Sequence, residues 1–102
     1  MCKGEVMKEI DIKLIADHYG YESQSRQLIE EMAELTQAIN KEWRNTNECE
    51  ITHLYKNLVE EIADVEIMLE QIKYLVGCSD DVEKIKNKKI DRTIAQINKK
   101  IN

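Results

Sequence analysis

The sequence predicts an all-α protein, and three observations carry that prediction. Proline is absent from the 102 residues and glycine occurs only three times, so little interrupts a helix. Apolar residues recur every three or four positions in four separate segments, as they do on one side of a helix. No segment alternates apolar and polar residues over a strand's length. Hydrophobic residues make up 42% of the chain, enough for a packed core and too many for a disordered segment.

The first helix is expected from about Glu5 to His18, where Val6, Ile10 and Leu14 recur every four residues beside Met7 and Ile15. Gly20 is its expected stop. The second is expected from Ser23, a good N-cap type, to Arg44, with the stripe Leu28, Met32, Leu35 and Ile39. The polar stretch Asn45 to Glu50 reads as a loop. The third and longest runs from about Thr52 to Val76, with Leu54, Leu58, Val65, Leu69, Ile72 and Val76 along one side and Gly77 as a C′ residue. Ser79 or Asp80 is placed to cap the fourth, Asp81 to Ile101, whose stripe is Ile90, Ile94, Ile97 and Ile101.

A chain of this length is one domain, 1–102, with a high surface-to-volume ratio and a modest core. Helices with two apolar faces then favour burial against another subunit. The net charge of −5 argues against a duplex nucleic-acid partner, which calls for a basic footprint. It does not exclude a free nucleotide, because divalent metals reverse the field of an acidic site. Cys2, Cys49 and Cys78 are too far apart for a zinc knuckle or a redox pair, and unpaired thiols suit a reducing, cytoplasmic setting. Met1 to Asp11 carries charges throughout, unlike a secretory leader, and no apolar run approaches the roughly 20 residues of a membrane span.

Two short patterns carry the chemistry. Glu30-Glu31-Met32-Ala33-Glu34 lies in the second helix and Glu60-Glu61-Ile62-Ala63-Asp64 in the third. Each sets two carboxylates three residues apart, on one side of a helix. At about 100° per residue, Glu31 falls roughly 70° from the centre of its helix's apolar stripe. Glu61 falls only about 20° from Leu54 and Ile72 on the wheel, inside the apolar arc, and Asp64 lies at that arc's edge. Carboxylates that serve only solubility sit on the opposite face. An inward carboxylate must be protonated, paired or bound to a metal, and four together raise one another's pKa values. Mg²⁺ relieves both problems: it prefers oxygen ligands and keeps waters whose positions a phosphate can take.

The paired motif, Glu30-Glu31-x-x-Glu34-Leu35 followed by Glu60-Glu61-x-x-Asp64-Val65, resembles the signature of the MazG-like nucleoside triphosphate pyrophosphohydrolases, in the all-α NTP pyrophosphatase superfamily. The resemblance covers the second and third helices, roughly half of the chain. It implies a four-helix bundle assembled as a homo-oligomer, a dimer or a tetramer, whose helices complete one another's sites. It also implies that Glu31, Glu34, Glu61 and Asp64 hold Mg²⁺, with Mn²⁺ as a substitute. The implied reaction is hydrolysis of a nucleoside triphosphate between the α- and β-phosphates, giving the monophosphate and pyrophosphate. The metals would neutralise charge developing on the phosphates and acidify the attacking water. Glu30 or Glu60, outside the tightest coordination, could orient that water or take its proton, with Glu30 the preferred candidate.

Other residues carry weaker signals. Lys41, seven residues after Glu34, shares its face and could reach a triphosphate oxygen. Arg92, in a fourth helix rich in lysine, could clamp the same anion. Lys89 stands near Arg92, but a solvated face explains it as well. Trp43 is expected at a core or subunit contact rather than under a base. Tyr19 and Tyr21 flank Gly20 and could border a base pocket. Glu50-Ile51-Thr52-His53 matches one Glu-x-x-His unit, whereas di-iron carboxylate bundles need two. No glycine-rich phosphate loop is present. Two other readings compete with catalysis: a helical oligomerisation or adaptor module, in which the stripes serve packing alone, and a nucleotide sensor that binds without turnover.

Overall fold

In the computed structural model the chain is helical almost throughout, with residues 2–45 and 51–101 described, and side chains over 8–45 and 51–100. Three helices follow one another: α1 (Cys2–Arg44), α2 (Ile51–Val76) and α3 (Ser79–Ile101). No strand occurs among the described residues. The expected first and second helices are the two arms of α1. Gly20, with φ 82° and ψ 169°, bends the rod, and its conformation is one that only glycine adopts readily. Gly20 thus ends the regular path of the first segment, as expected, but helix resumes at once at Tyr21, so Ser23 lies inside the second segment instead of capping it. The described residues thus form three helices in sequence, the first of them divided at Gly20 into the two expected segments.

The α2–α3 turn follows a specific hydrogen-bonding pattern. Gly77, at φ 76°, donates its N–H to the Tyr74 carbonyl at 3.1 Å, and the Cys78 N–H reaches the Lys73 carbonyl at 3.0 Å. These are the two bonds of a Schellman motif, with glycine at the left-handed C′ position. Cys78 then opens α3 by accepting from the Val82 N–H at 2.9 Å, one residue ahead of the expected Ser79 or Asp80 cap. Asp80 and Asp81 follow in the first turn, where negative charge complements the helix dipole.

α1 and α2 pack antiparallel along their length, while α3 meets α2 and, among the described residues, stays clear of α1. The buried seam differs from the expected stripes by a rotation. On α1 it consists of Gln24, Leu28, Glu31, Leu35 and Ala38, spaced 4, 3, 4, 3. Met32 and Ile39, expected in the stripe, stay substantially exposed. On α2 the seam is Leu54, Leu58, Glu61, Val65, Met68 and Gln71 with Ile72, while Leu69 and Val76 are exposed. Ala16 and Ala38 are buried at either end of the seam, where small side chains let the helix axes approach.

Three apolar stripes find no cover among the described residues. Ile10 and Leu14 on the first arm of α1 are exposed, as are Ile85, Ile90, Ile94 and Ile97 along α3. Met32 and Ile39 on the second arm make the third. The radius of gyration is 17.4 Å, against about 13 Å for a compact domain of this length. The expected stripe residues Val6, Met7 and Ile101 lie outside the residues with described side chains. So does Cys2. Residues 46–50, with Cys49 and the Glu50 of the Glu-x-x-His match, lie outside the described residues altogether.

Candidate metal centre

The antiparallel register of α1 and α2 brings the two motifs to the same level of the seam. Glu31 follows Leu28 and precedes Leu35, and Glu61 stands between Leu58 and Val65, so each occupies a position that the helix period assigns to an apolar side chain. Both are half-buried, while Glu34 and Asp64 sit one turn away on the open side. Carboxylate oxygens of Glu31, Glu34 and Glu61 lie within 4.8 Å of one another. Asp64 closes the set by facing Glu31 within hydrogen-bonding reach, as Glu61 faces Glu34.

Little nearby neutralises this cluster. Gln27 Nε2 donates to Glu31 Oε1 at 2.8 Å. The second oxygens, Glu31 Oε2 and Glu61 Oε2, are buried with no hydrogen-bond partner. Among the described residues the ion pairs are Arg26–Glu22, Lys73–Glu70 and Lys86–Glu83, each within one helix. None reaches the four carboxylates. Burial therefore pushes the Glu61 carboxyl above its ordinary value, helped by the charge of Glu34, a shared hydrogen bond with Glu34, and the charges of Asp64 and Glu31. Asp64 is likewise raised, by burial first and then by the charge of Glu31 and a hydrogen bond with it. An all-carboxylate donor set with two orphaned oxygens suits a hard divalent cation that takes oxygen ligands and retains waters.

The remaining expected residues are placed less tightly. Glu30 and Glu60 are exposed on the helices that carry the cluster. Glu30 borders an open cleft of about 480 Å³ with Tyr19, Arg26 and Gln27; Tyr21 does not line it. Lys41 is exposed farther along α1, beside Arg44, Asn45 and Leu54. Trp43 is 83% exposed, so any cover it has comes from outside the described residues. Arg92 and Lys89 lie on α3, which stays clear of α1, so within one chain neither meets Glu31 or Glu34. His53 is exposed in the first turn of α2.

Two features were not anticipated from the sequence. Gln27 steadies Glu31 from one turn below, a placement that the four-residue spacing could have shown. Gln24 and Gln71 form a buried amide pair in the seam, and Gln24 Nε2 donates to Gln71 Oε1 at 2.7 Å. No protein-family model, curated protein or solved structure matches the chain, so the motif and its geometry carry the functional reading by themselves.

Proposed function

We propose that the chain is a Mg²⁺-dependent nucleoside triphosphate pyrophosphohydrolase of MazG-like type, cleaving between the α- and β-phosphates. The observation that carries this reading is the convergence of Glu31, Glu34 and Glu61 within 4.8 Å, with two buried oxygens left without a partner. Glu31, Glu34, Glu61 and Asp64 would hold the metal. Mg²⁺, or Mn²⁺ in its place, would neutralise the phosphate oxygens and make a water more acidic. The chain's own part is orientation. Gln27 fixes one oxygen of Glu31, the apolar neighbours Leu28, Leu35, Leu58 and Val65 would limit water beneath the cluster, and Glu30, exposed beside Glu31 in the chain, would take a proton from the attacking water.

The exposed isoleucines of α3 and the extended shape support a homo-oligomer, a dimer or a tetramer. A second chain laid against those faces would cover them and could bring Arg92 to a triphosphate bound at the carboxylates. The test is release of pyrophosphate from a panel of ribo- and deoxyribonucleoside triphosphates with Mg²⁺. At least one substrate should yield pyrophosphate and the monophosphate. Glu34→Ala and Asp64→Ala should each lower kcat/KM by more than about 100-fold, since even outer-shell partners of a metal site are worth 10–100-fold. Release of orthophosphate instead, or activity unchanged in both variants, contradicts the assignment.

The adaptor reading also accounts for the exposed stripes. It gives no reason for carboxylates at seam positions, which apolar residues would fill with less strain.

A further inference from the structure

The buried seam contains a second polar layer besides the carboxylates. Gln24 is 7% exposed and Gln71 1%. Gln24 Nε2 donates to Gln71 Oε1 at 2.7 Å, Ser23 Oγ donates to the Gln24 Oε1 at 3.2 Å, and Gln71 Nε2 approaches the sulfur of Met68 at 3.6 Å. The amides are thus engaged mainly with each other. Their position is tied to the site by helix arithmetic. Glu31 lies seven residues after Gln24 on α1, and Asp64 lies seven residues before Gln71 on α2. Because the helices run antiparallel, the amide pair and the Glu31–Asp64 pair are the same layer of the seam repeated two turns apart.

The Tyr74–Asp17 hydrogen bond between the same helices is exposed, the facing carboxylates repel one another, and the apolar part of the seam specifies register weakly. Leu28, Leu35, Leu58, Val65 and Met68 repeat with 4, 3 spacing, so a slip along the helix axis exchanges one apolar neighbour for another. A slip would separate the amides and leave their N–H and C=O groups buried without partners. A single polar residue in an apolar helix seam is known to fix register in this way, at some expense of stability. The pair also sits one turn beyond Gly20, where α1 changes direction.

We propose that Gln24 and Gln71 are positioning residues that lock the register of α1 against α2, and so set Glu31 opposite Asp64 and Glu34 opposite Glu61. The consequence for metal binding rests on the metal-centre reading above; the lock itself does not. Removing both amides together leaves no orphan, and replacing both partners with apolar groups of similar shape is nearly neutral for stability. The informative variant is therefore Gln24→Met/Gln71→Met, with Gln24→Leu/Gln71→Leu as the second.

The test measures distance and affinity separately. Spin labels are placed at two exposed positions, Gln37→Cys on α1 and Glu66→Cys on α2. These lie at different levels of the seam, so a slip along the axis changes their separation. The three native cysteines are changed to serine, and the labelled protein is diluted in unlabelled chain. Pulsed electron resonance should give one narrow distance with Gln24 and Gln71 present. The double variant should give a broadened or split distribution, with a component displaced by up to about 5 Å, one helical turn. Its Mg²⁺ affinity, measured calorimetrically on unlabelled protein, should fall at least tenfold with no loss of melting midpoint in the absence of metal. An unchanged single distance overturns the proposal, and so does failure of both double variants to fold. If the parent protein binds no Mg²⁺, the metal reading fails and the lock is decided by the distances alone.

Discussion

Glu61 concentrates the tension in the molecule. A seam position that packing would give to leucine carries a carboxyl group, and burial together with Glu34 raises its pKa. Asp64 is raised as well. Both groups hold protons more tightly in the folded chain than in the unfolded one. The folded state therefore carries the excess of protons above the ordinary carboxylate range, and stability falls as pH climbs from that range through the raised values. Below it both states are protonated and this contribution is level. Without metal, the melting midpoint should decline over that window, and Glu61→Gln should flatten the decline. Mg²⁺ should reverse it: at 100 times its Kd a bound ligand contributes about 2.7 kcal/mol, a rise of roughly 10–20 °C for a domain of this size. The rise should be large near pH 7.5, small near pH 5, and absent in Glu61→Gln. An equal Mg²⁺ response in the variant and its parent would remove Glu61 from the site. These inward carboxylates were legible in the sequence because the wheel depends only on the helix period. The Gln24–Gln71 pair was not, because a glutamine amide reads the same at a surface as in a seam until its partner on the other helix is known.

At the scale of the element, Gly20 shows how one residue changes the architecture. Its φ and ψ have no helical counterpart, yet helix continues on both sides. Apart from the adjoining chain, no atom stands within 4 Å of where a Cβ would be, so the cost of a side chain there is conformational rather than steric crowding. Gly20→Ala should destabilise the fold by about 1–3 kcal/mol, measured by urea denaturation, with the packing around the bend unaltered. A neutral substitution would mean that α1 straightens freely. The arm that precedes the bend is anchored by Tyr74, whose hydroxyl donates to Asp17 at 2.8 Å and whose ring lies under Lys13. Helix boundaries were well marked where polar or glycine residues punctuate them: α2 begins at Ile51 rather than Thr52 and ends at Val76 as expected. Which apolar residues face inward was less legible. Met32, Ile39 and Leu69 fit the period as well as Leu28 and Leu35 do, and a helix with two apolar faces does not announce which one its own chain will cover.

For the whole molecule, the dominant feature is how much apolar surface one chain leaves open. α3 touches α2 only close to the turn that joins them and exposes Ile90, Ile94 and Ile97, and no described helix is long and apolar enough to cross a membrane. A second chain is the simplest cover. Light scattering coupled to size exclusion should give two or four times the chain mass, and Ile90→Lys/Ile94→Lys should shift it toward the monomer and, under the proposed function, lower pyrophosphate release from the triphosphate with it. A monomeric parent protein would contradict the assembled site. The centre of the reading remains the carboxylate cluster, and its most direct test is a crystal soaked in Mn²⁺ with diffraction recorded at the manganese edge. An anomalous peak among Glu31, Glu34, Glu61 and Asp64 is the expected result. Those side chains turned apart into solvent, with no peak between them, would contradict it.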